Sequence, residues 1–548
     1  MRAHPLAPAP HPASAPSRLA PRLAAIVALA LAIHGRSVAF GFSYLDDDVL
    51  IVDNQNFLAR PASLWRAFGR PYLPSADRDH FYYRPVVNAS YVLDSLWSGG
   101  DPRGYHLTNV LLHALAGCLL FLWLRRLAVR VEVAWLGALL FVAHPALAET
   151  VAWIPGRNDS LLTVFALMSW LWLPRAGDEA PPARGPSPRA TGGSIGRKVG
   201  HLCALLGALL TKEAAIVLPA LYLIDLLGRE RRPWRQVLRP WLLGGWVGVL
   251  AIYLGARAAV AGVAGRGVGA AGASGVSVGR VLHNLPALVV GGLGKLIIPI
   301  HLAVLAIPRD TWLWPGVLAA GLVVIAAVFV PAVRRRTVLF GMIIFVAGLA
   351  PGAPASNMLI LENRLYLPAI GIILIACEAA GRAAWPARIQ RAAAAALVTL
   401  FAAASVSYAG DFRERLTFAE AAVRGAPHSS LAHRNLGVTY QLTGDSASAR
   451  REYERALAED AAEPIAHNNL GVLLMARGQL PDAERELREE LRINPHYARA
   501  HHNLALVLHA LGRDAEATPH WEASLARDPD DAEATRALAD HRGPGGRP

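Results

Sequence analysis

Residues 143–162 read AHPALAETVAWIPGRNDSLL. His144, Glu149, Arg157 and Asp159 crowd a short connection between two apolar runs, where a bare turn needs only Gly and Pro. Apolar runs of roughly 20 residues recur on both sides, from about residue 21 to residue 409, and each is long enough to cross a bilayer as a helix. The chain has 548 residues, 54% hydrophobic and only 17% charged. That is too long for one ordinary domain and too apolar for a soluble enzyme of this size. The expected fold class is therefore all-α, a polytopic transmembrane domain over 21–410 followed by a soluble helical tail. Cys118, Cys203 and Cys377 each lie inside an apolar segment, so they form neither a disulfide framework nor a spaced metal cluster, and no metal ligands are assigned.

The net charge of +13 divides unevenly. Residues 1–410 hold 37 Lys+Arg against 19 Asp+Glu, and residues 411–548 hold 17 against 22. The positive charge sits in membrane loops, so it argues topology and not nucleic-acid binding. Residues 1–20, rich in Pro and Ala, read as a disordered cytoplasmic tail. Arg125, Arg126 and Arg130, the loop 175–198 and the loop 229–239 mark the inner side. For both loops to be inside, the segment between them must cross twice, turning at Thr211-Lys212-Glu213. Other spans fit 106–126, 131–150, 158–174, 241–260, 312–331, 337–353, 365–381 and 391–409, while 281–307 is expected to be re-entrant or to lie along the outer surface. About 11 spans result, with the first outer loop, 43–105, and the tail both extracytoplasmic.

The tail repeats every 34 residues, in Asn435-Leu436-Gly437, Asn469-Leu470-Gly471 and Asn503-Leu504-Ala505. Ala449, Ala483 and Ala517 keep the same spacing, as do Tyr453, Leu487 and Trp521. Three tetratricopeptide repeats over 430–531, with a capping helix and tail at 532–548, are expected. Such a solenoid offers a surface to peptides or proteins and does no chemistry itself.

Four polar constellations fall on the outer side. Asp46-Asp47-Asp48 follows the first span, where lost solvation suits a carboxylate to act as a base or a cation ligand, although taken alone such a run reads more readily as a solvated loop with a helix cap. Arg84 and His106 precede the second span, and a guanidinium at the membrane edge suits a lipid phosphate. The quoted stretch supplies His144, Glu149, Arg157 and Asp159. Lys212-Glu213 and Glu362-Asn363-Arg364 form the fourth, with Lys212 and Arg364 placed to hold an anionic group and Lys212–Glu213 or Glu362–Arg364 pairs as the structural alternative. Gly267-x-Gly269-x-x-Gly272 matches a dinucleotide fingerprint but follows no strand, so it reads as a loop.

Together, Asp46-Asp47, Tyr83-Arg84-Pro85, Tyr105-His106-Leu-Thr-Asn109, the quoted stretch, LLTKEAA, ENRLYLPAIG and the repeats resemble the transmembrane and tetratricopeptide-repeat-containing O-mannosyltransferases and their bacterial relatives, in the GT-C glycosyltransferase superfamily. The resemblance implies a GT-C-like transmembrane domain in a bacterial inner membrane, N-terminus cytoplasmic. It implies transfer of a hexose, mannose in the first instance, from a polyprenyl-phosphate carrier to an extracytoplasmic acceptor, with protein Ser/Thr hydroxyls presented by the repeats. Asp46 or Asp47 would be the essential acid. Arg84, Lys212 and Arg364 would bind donor phosphate. His106, His144, Glu149, Arg157, Asp159, Glu213 and Glu362 would shape the pocket or its loops. The partners would be the lipid carrier and a polypeptide, and the need for a divalent cation is left open. A membrane-anchored repeat scaffold and a surface-polysaccharide polymerase or ligase are the rival readings.

Overall fold

The computed structural model describes residues 19–43, 46–73, 82–174, 188–229, 232–237, 239–263, 278–329, 333–353, 361–383, 385–527 and 531–542. The expectations for residues 1–18 of the tail, residues 175–187 of the loop and Gly267 to Gly272 fall outside the described residues. Among the described residues every regular element is a helix. In the first part these are α1 (Ala20–His34), α2 (Pro85–Ser98), α3 (Pro102–Arg126), α4 (Val131–Ala143), α5 (Arg157–Trp172), α6 (Pro188–Leu209), α7 (Pro240–Val263), α8 (Val278–Ile297), α9 (Trp314–Phe329), α10 (Arg335–Leu349), α11 (Tyr366–Arg382) and α12 (Ala387–Ala409). Shorter turns lie between them. Six described helical segments are long and apolar enough to cross a bilayer, or seven when the bent pair Val131–Ala143 and Pro145–Ala152 is taken as one. The protein is an integral membrane protein with a helical core in which Trp170 packs against Trp123 at a tilt and against Tyr222 edge to face.

Three segments differ from their expected outlines. The span placed at 131–150 stops at Ala143, because Pro145 drives the preceding residue out of the helical region and His144 becomes extended. The span placed at 158–174 begins at Arg157. The segment 281–307 carries a continuous 20-residue helix, α8, with Pro286 inside it, packed against α9. The turn at Thr211-Lys212 is present, between α6 and the short helix that opens at Glu213.

The stretch 144–156 folds as a staircase of one-turn helices, Pro145–Leu147, Ala148–Ala152 and Ile154–Gly156. Pro145 and Pro155 each break the backbone, and a Cβ on Gly156 would lie 2.7 Å from the Cα of Thr150. Every residue from 141 to 164 is buried. A chain segment so rich in polar groups can be buried only if those groups find partners.

The tail opens with a helix that the repeat period does not announce, α13 (Arg415–Gly425). Three helix pairs follow: α14 (Ser430–Leu442) with α15 (Ser446–Glu459), α16 (Ala466–Ala476) with α17 (Leu480–Ile493), and α18 (Ala498–Ala510) with α19 (Asp514–Leu525). The capping helix α20 (Ala532–Arg542) closes the stack. Gly444, Gly478 and Gly512, again 34 apart, hold the left-handed backbone that turns each first helix into its second, at φ of 86°, 73° and 75°. Tyr453, Leu487 and Trp521 are buried between the paired helices, as the spacing requires. Burying a side chain such as Leu487 contributes roughly 1.5–3 kcal/mol.

Candidate functional site

Residues from five separated segments meet at one end of the helical domain. Arg84, just before α2, donates through Nη2 and Nε to Glu213 Oε2 at 3.0 and 3.2 Å, and its guanidinium lies over the rings of Tyr72 and Tyr82. Lys212 Nζ donates to both oxygens of Asp159 at 2.6 and 2.8 Å. Asn363 ties two carboxylates together: its side-chain amide donates to Asp159 and its backbone N–H to Glu149. Arg364 stands within electrostatic reach of Asp159, Glu149, Tyr82 and Arg84, and Lys212 within reach of both Arg84 and Arg364. The three cations singled out in the sequence therefore share one cluster. Among the described residues the alternative Lys212–Glu213 and Glu362–Arg364 pairs do not form. Adjacent residues on a tight turn point apart, so Lys212 and Glu213 each reach across to another segment.

The acidic run is sorted by its surroundings. Asp47 is buried, and its Oδ2 accepts from the backbone N–H and hydroxyl of Ser43 at 2.8 and 2.9 Å. Burial pushes its carboxyl up to about 8 against those two bonds, with the charges of Asp46 and Asp48 adding to the rise. Asp48 accepts from Arg415 of α13 at 2.7 Å. Among the described residues no hydrogen bond holds the Asp46 side chain. Burial raises its pKa, and the Arg84 charge opposes the rise. A carboxylate with raised proton affinity, untied and beside a cation cluster, is suited to take a proton from a hydroxyl. Burial likewise lowers the Lys212 ammonium, with Asp159 opposing.

Other residues expected at the pocket brace the walls. Arg157 is fully buried and pairs with Asp94, while donating to Asn109 Oδ1, Ser90 Oγ and the Tyr105 carbonyl. It locks α2, α3 and α5 together. His106 Nε2 donates to the Gly41 carbonyl at 3.2 Å, holding the loop after the first span. His144 donates to the Leu296 carbonyl and accepts from the Ala146 N–H, so it ends α4 and docks it on α8. Glu362 pairs with buried Lys295 and accepts from the Ala303 N–H. Glu149 lies beside Glu362 and Lys295.

Sequence reasoning missed Lys295, Tyr72 and Arg415. Lys295 carried a signal, since it is one of only three lysines and sits in an apolar segment. Tyr72, whose hydroxyl accepts from Asn158 at 3.0 Å, and Arg415 carried none.

The same end of the helical domain receives the tail. Phe40, Ala148, Ala152, Trp153, Val304 and Leu305 pack with Tyr408, Phe412, Phe418 and Ala422. His428 binds Asp310 through its ring and its backbone N–H, and Arg309 pairs with Glu459. The class so defined is a polytopic helical membrane protein with a buried acid and cation cluster facing the base of a tetratricopeptide solenoid.

Known proteins resemble both the repeats and parts of the membrane domain. The tetratricopeptide-repeat family profile matches residues 441–498 and 468–532. The chain is similar to the protein O-mannosyl-transferase Tmtc1 of Drosophila melanogaster, 38% identical over 153 residues, covering 27% of this chain and 18% of that one. It is also similar to the protein O-mannosyl-transferase TMTC2 of Mus musculus, 31% identical over 215 residues, covering 38% of this chain and 24% of that one. The matches thus span about a fifth to a quarter of those relatives' length. Among solved structures, ArnT from Cupriavidus metallidurans bound to undecaprenyl phosphate aligns over 91% of this chain and 79% of that one, at 16% identity and a TM-score of 0.41.

Proposed function

We propose that this protein is a membrane glycosyltransferase that moves a hexose, mannose in the first instance, from a polyprenyl-phosphate carrier to a hydroxyl of a polypeptide on the extracytoplasmic face of a bacterial inner membrane. The observation that carries the reading is untied Asp46 within electrostatic reach of Arg84, which shares one cation cluster with Lys212 and Arg364. Supporting it are the similarity to O-mannosyl-transferases and the seating of the solenoid at the same end.

In this reading the acceptor oxygen attacks the anomeric carbon as the bond to the phosphate oxygen breaks. The acceptor proton passes to Asp46 Oδ, and the polyprenyl phosphate departs with the bonding electron pair. Arg84, Lys212 and Arg364 balance the charge growing on the phosphate, in a site where burial strengthens each interaction. Because Arg84 and Lys212 already hold Glu213 and Asp159, the phosphate shares these cations with carboxylates, which keeps the empty site from carrying unpaired buried charge. Direct displacement inverts the anomeric centre. The repeats present the acceptor chain.

The test incubates membranes carrying the protein with radiolabelled polyprenyl-phosphate mannose and follows label into protein. Asp46→Asn is expected to cut transfer by about 10²–10⁴-fold, the range for a lost general base, whereas Asp47→Asn, whose carboxylate serves Ser43, costs less. Equal transfer by wild type and Asp46→Asn would sink the assignment.

A further inference from the structure

The acidic run begins a helical turn, with Asp46 and Asp47 helical and Asp48 opening the wider turn Asp48–Val52. Consecutive side chains on such a turn point about 100° apart, so fixing two directions fixes the third. Asp47 points inward to Ser43, and Asp48 points to Arg415. The remaining direction is that of Asp46. The only one of these two holds supplied from outside the loop is Arg415, 367 residues away in sequence.

Arg415 is itself firmly based. It is the first residue of α13, whose start is closed by reciprocal bonds between Glu414 and Thr417. The carbonyl of Arg413, two residues before α13, accepts from the Gly41 N–H at 3.0 Å, so the start of α13 and the residues leading into it hold the loop on both sides of Ser43. Phe418 and Ala422 pack on the segment holding Val304 and Leu305, and the neighbouring Ala303 N–H binds Glu362, two residues before Arg364. Beyond the helix, His428 binds Asp310 and α14 packs on α13. One helix at the base of the solenoid thus touches the supports of both the base and the phosphate cation.

We propose that Arg415 is a positioning residue, holding Asp46 at the cation cluster through Asp48, so that transfer requires α13 to be seated. This rests on the transferase reading above. A misplacement of about 1 Å at a reacting group lowers rate by about 10²-fold, and Arg415 touches no part of the donor.

The experiment measures kcat and KM for polyprenyl-phosphate mannose in the full chain. Arg415→Met is expected to lower kcat about 10²-fold with KM for the lipid donor nearly unchanged. Arg415→Lys restores most of it, and so does the swapped pair Asp48→Arg with Arg415→Asp. If Asp46→Asn silences the enzyme while Arg415→Met keeps the wild-type kcat, the positioning role is wrong and the transferase reading stands. If Asp46→Asn transfers as well as wild type, the assignment of Asp46 as the base falls and the positioning role with it, whereas the transferase reading falls only if the wild type moves no hexose. Should Arg415→Met fail to fold, the swapped pair decides. Restored transfer supports the role, and a folded chain with the bridge restored but transfer lost overturns it.

Discussion

The helical domain and the solenoid handle charge in opposite ways. At the site end, Arg157–Asp94, Lys212–Asp159, Arg84–Glu213 and Lys295–Glu362 join residues from 53 to 129 positions apart and lie buried or nearly so. In the solenoid, a set of pairs lies three or four residues apart on exposed helix faces, such as Arg485–Asp482, Arg450–Glu454 and Arg492–Glu489. Buried charge has no water to fall back on, so every member of the first set must be matched. The second set trades protein partners for water at little cost. Electrostatics therefore decides architecture at the site and only decorates the repeats.

Arg157→Ala should break this contrast most visibly. It leaves Asp94 buried without its partner, which costs about 3–5 kcal/mol, read as a lowered unfolding midpoint and loss of the monodisperse peak in detergent. Replacing both residues by apolar ones of similar volume should recover much of that loss. Recovery no better than the single change would mean that Arg157 matters for its bonds to Asn109, Ser90 and Tyr105 more than for its charge.

The repeats offer a finer comparison within themselves. His433 and His467 hand Nδ1 to Glu452 and Glu486, while the matching position in the third repeat pairs His501 with His520 at 2.9 Å. Burial would lower the first two, but the bonds to glutamate and to backbone carbonyls leave both raised. Their stabilisation is present below the unfolded value of 6.5 and is lost as pH climbs through the folded one. Burial, then His501, pushes His520 down to about 4, so its contribution is present above 6.5 and is lost as pH falls toward 4. Arg488 adds to that fall and Glu516 opposes it. Hydrogen exchange at pH 5 against pH 8 should show α18 and α19 losing protection relative to α14 to α17, and His520→Glu should remove the difference. Equal protection in all three repeats at pH 5 would rule this out.

The smallest effect belongs to the exposed pairs. Arg485→Ala should change stability by less than about 0.5 kcal/mol. A loss several times larger, in the same unfolding assay, would mean that the outer face of α17 is covered in the native protein.

Much was legible because two periodicities survive translation into space. Apolar runs gave the membrane helices, and the 34-residue period gave the solenoid, while its turn glycines Gly444, Gly478 and Gly512 emerged only from the structure. Gathering His144, Glu149, Arg157 and Asp159 on a short connection marked them as important, but not what each does. Arg157 and His144 turn out to brace helices, while Asp159 sits in the cluster with Lys212. The ordering of Asp46, Asp47 and Asp48 was equally closed to sequence reasoning, since three identical side chains differ only in what faces them.

The sequence by itself determined a helical membrane domain, a repeat tail and the residue types that meet at the site, because burial and helical period are properties of a local window. Only the tertiary structure decided that Lys212 binds Asp159 and not Glu213, that Lys295 answers Glu362, and that Arg415 holds Asp48. Those pairings depend on which segments are brought together across more than fifty residues of chain, and an ionic group carries no record of its partner until the fold removes the water between them.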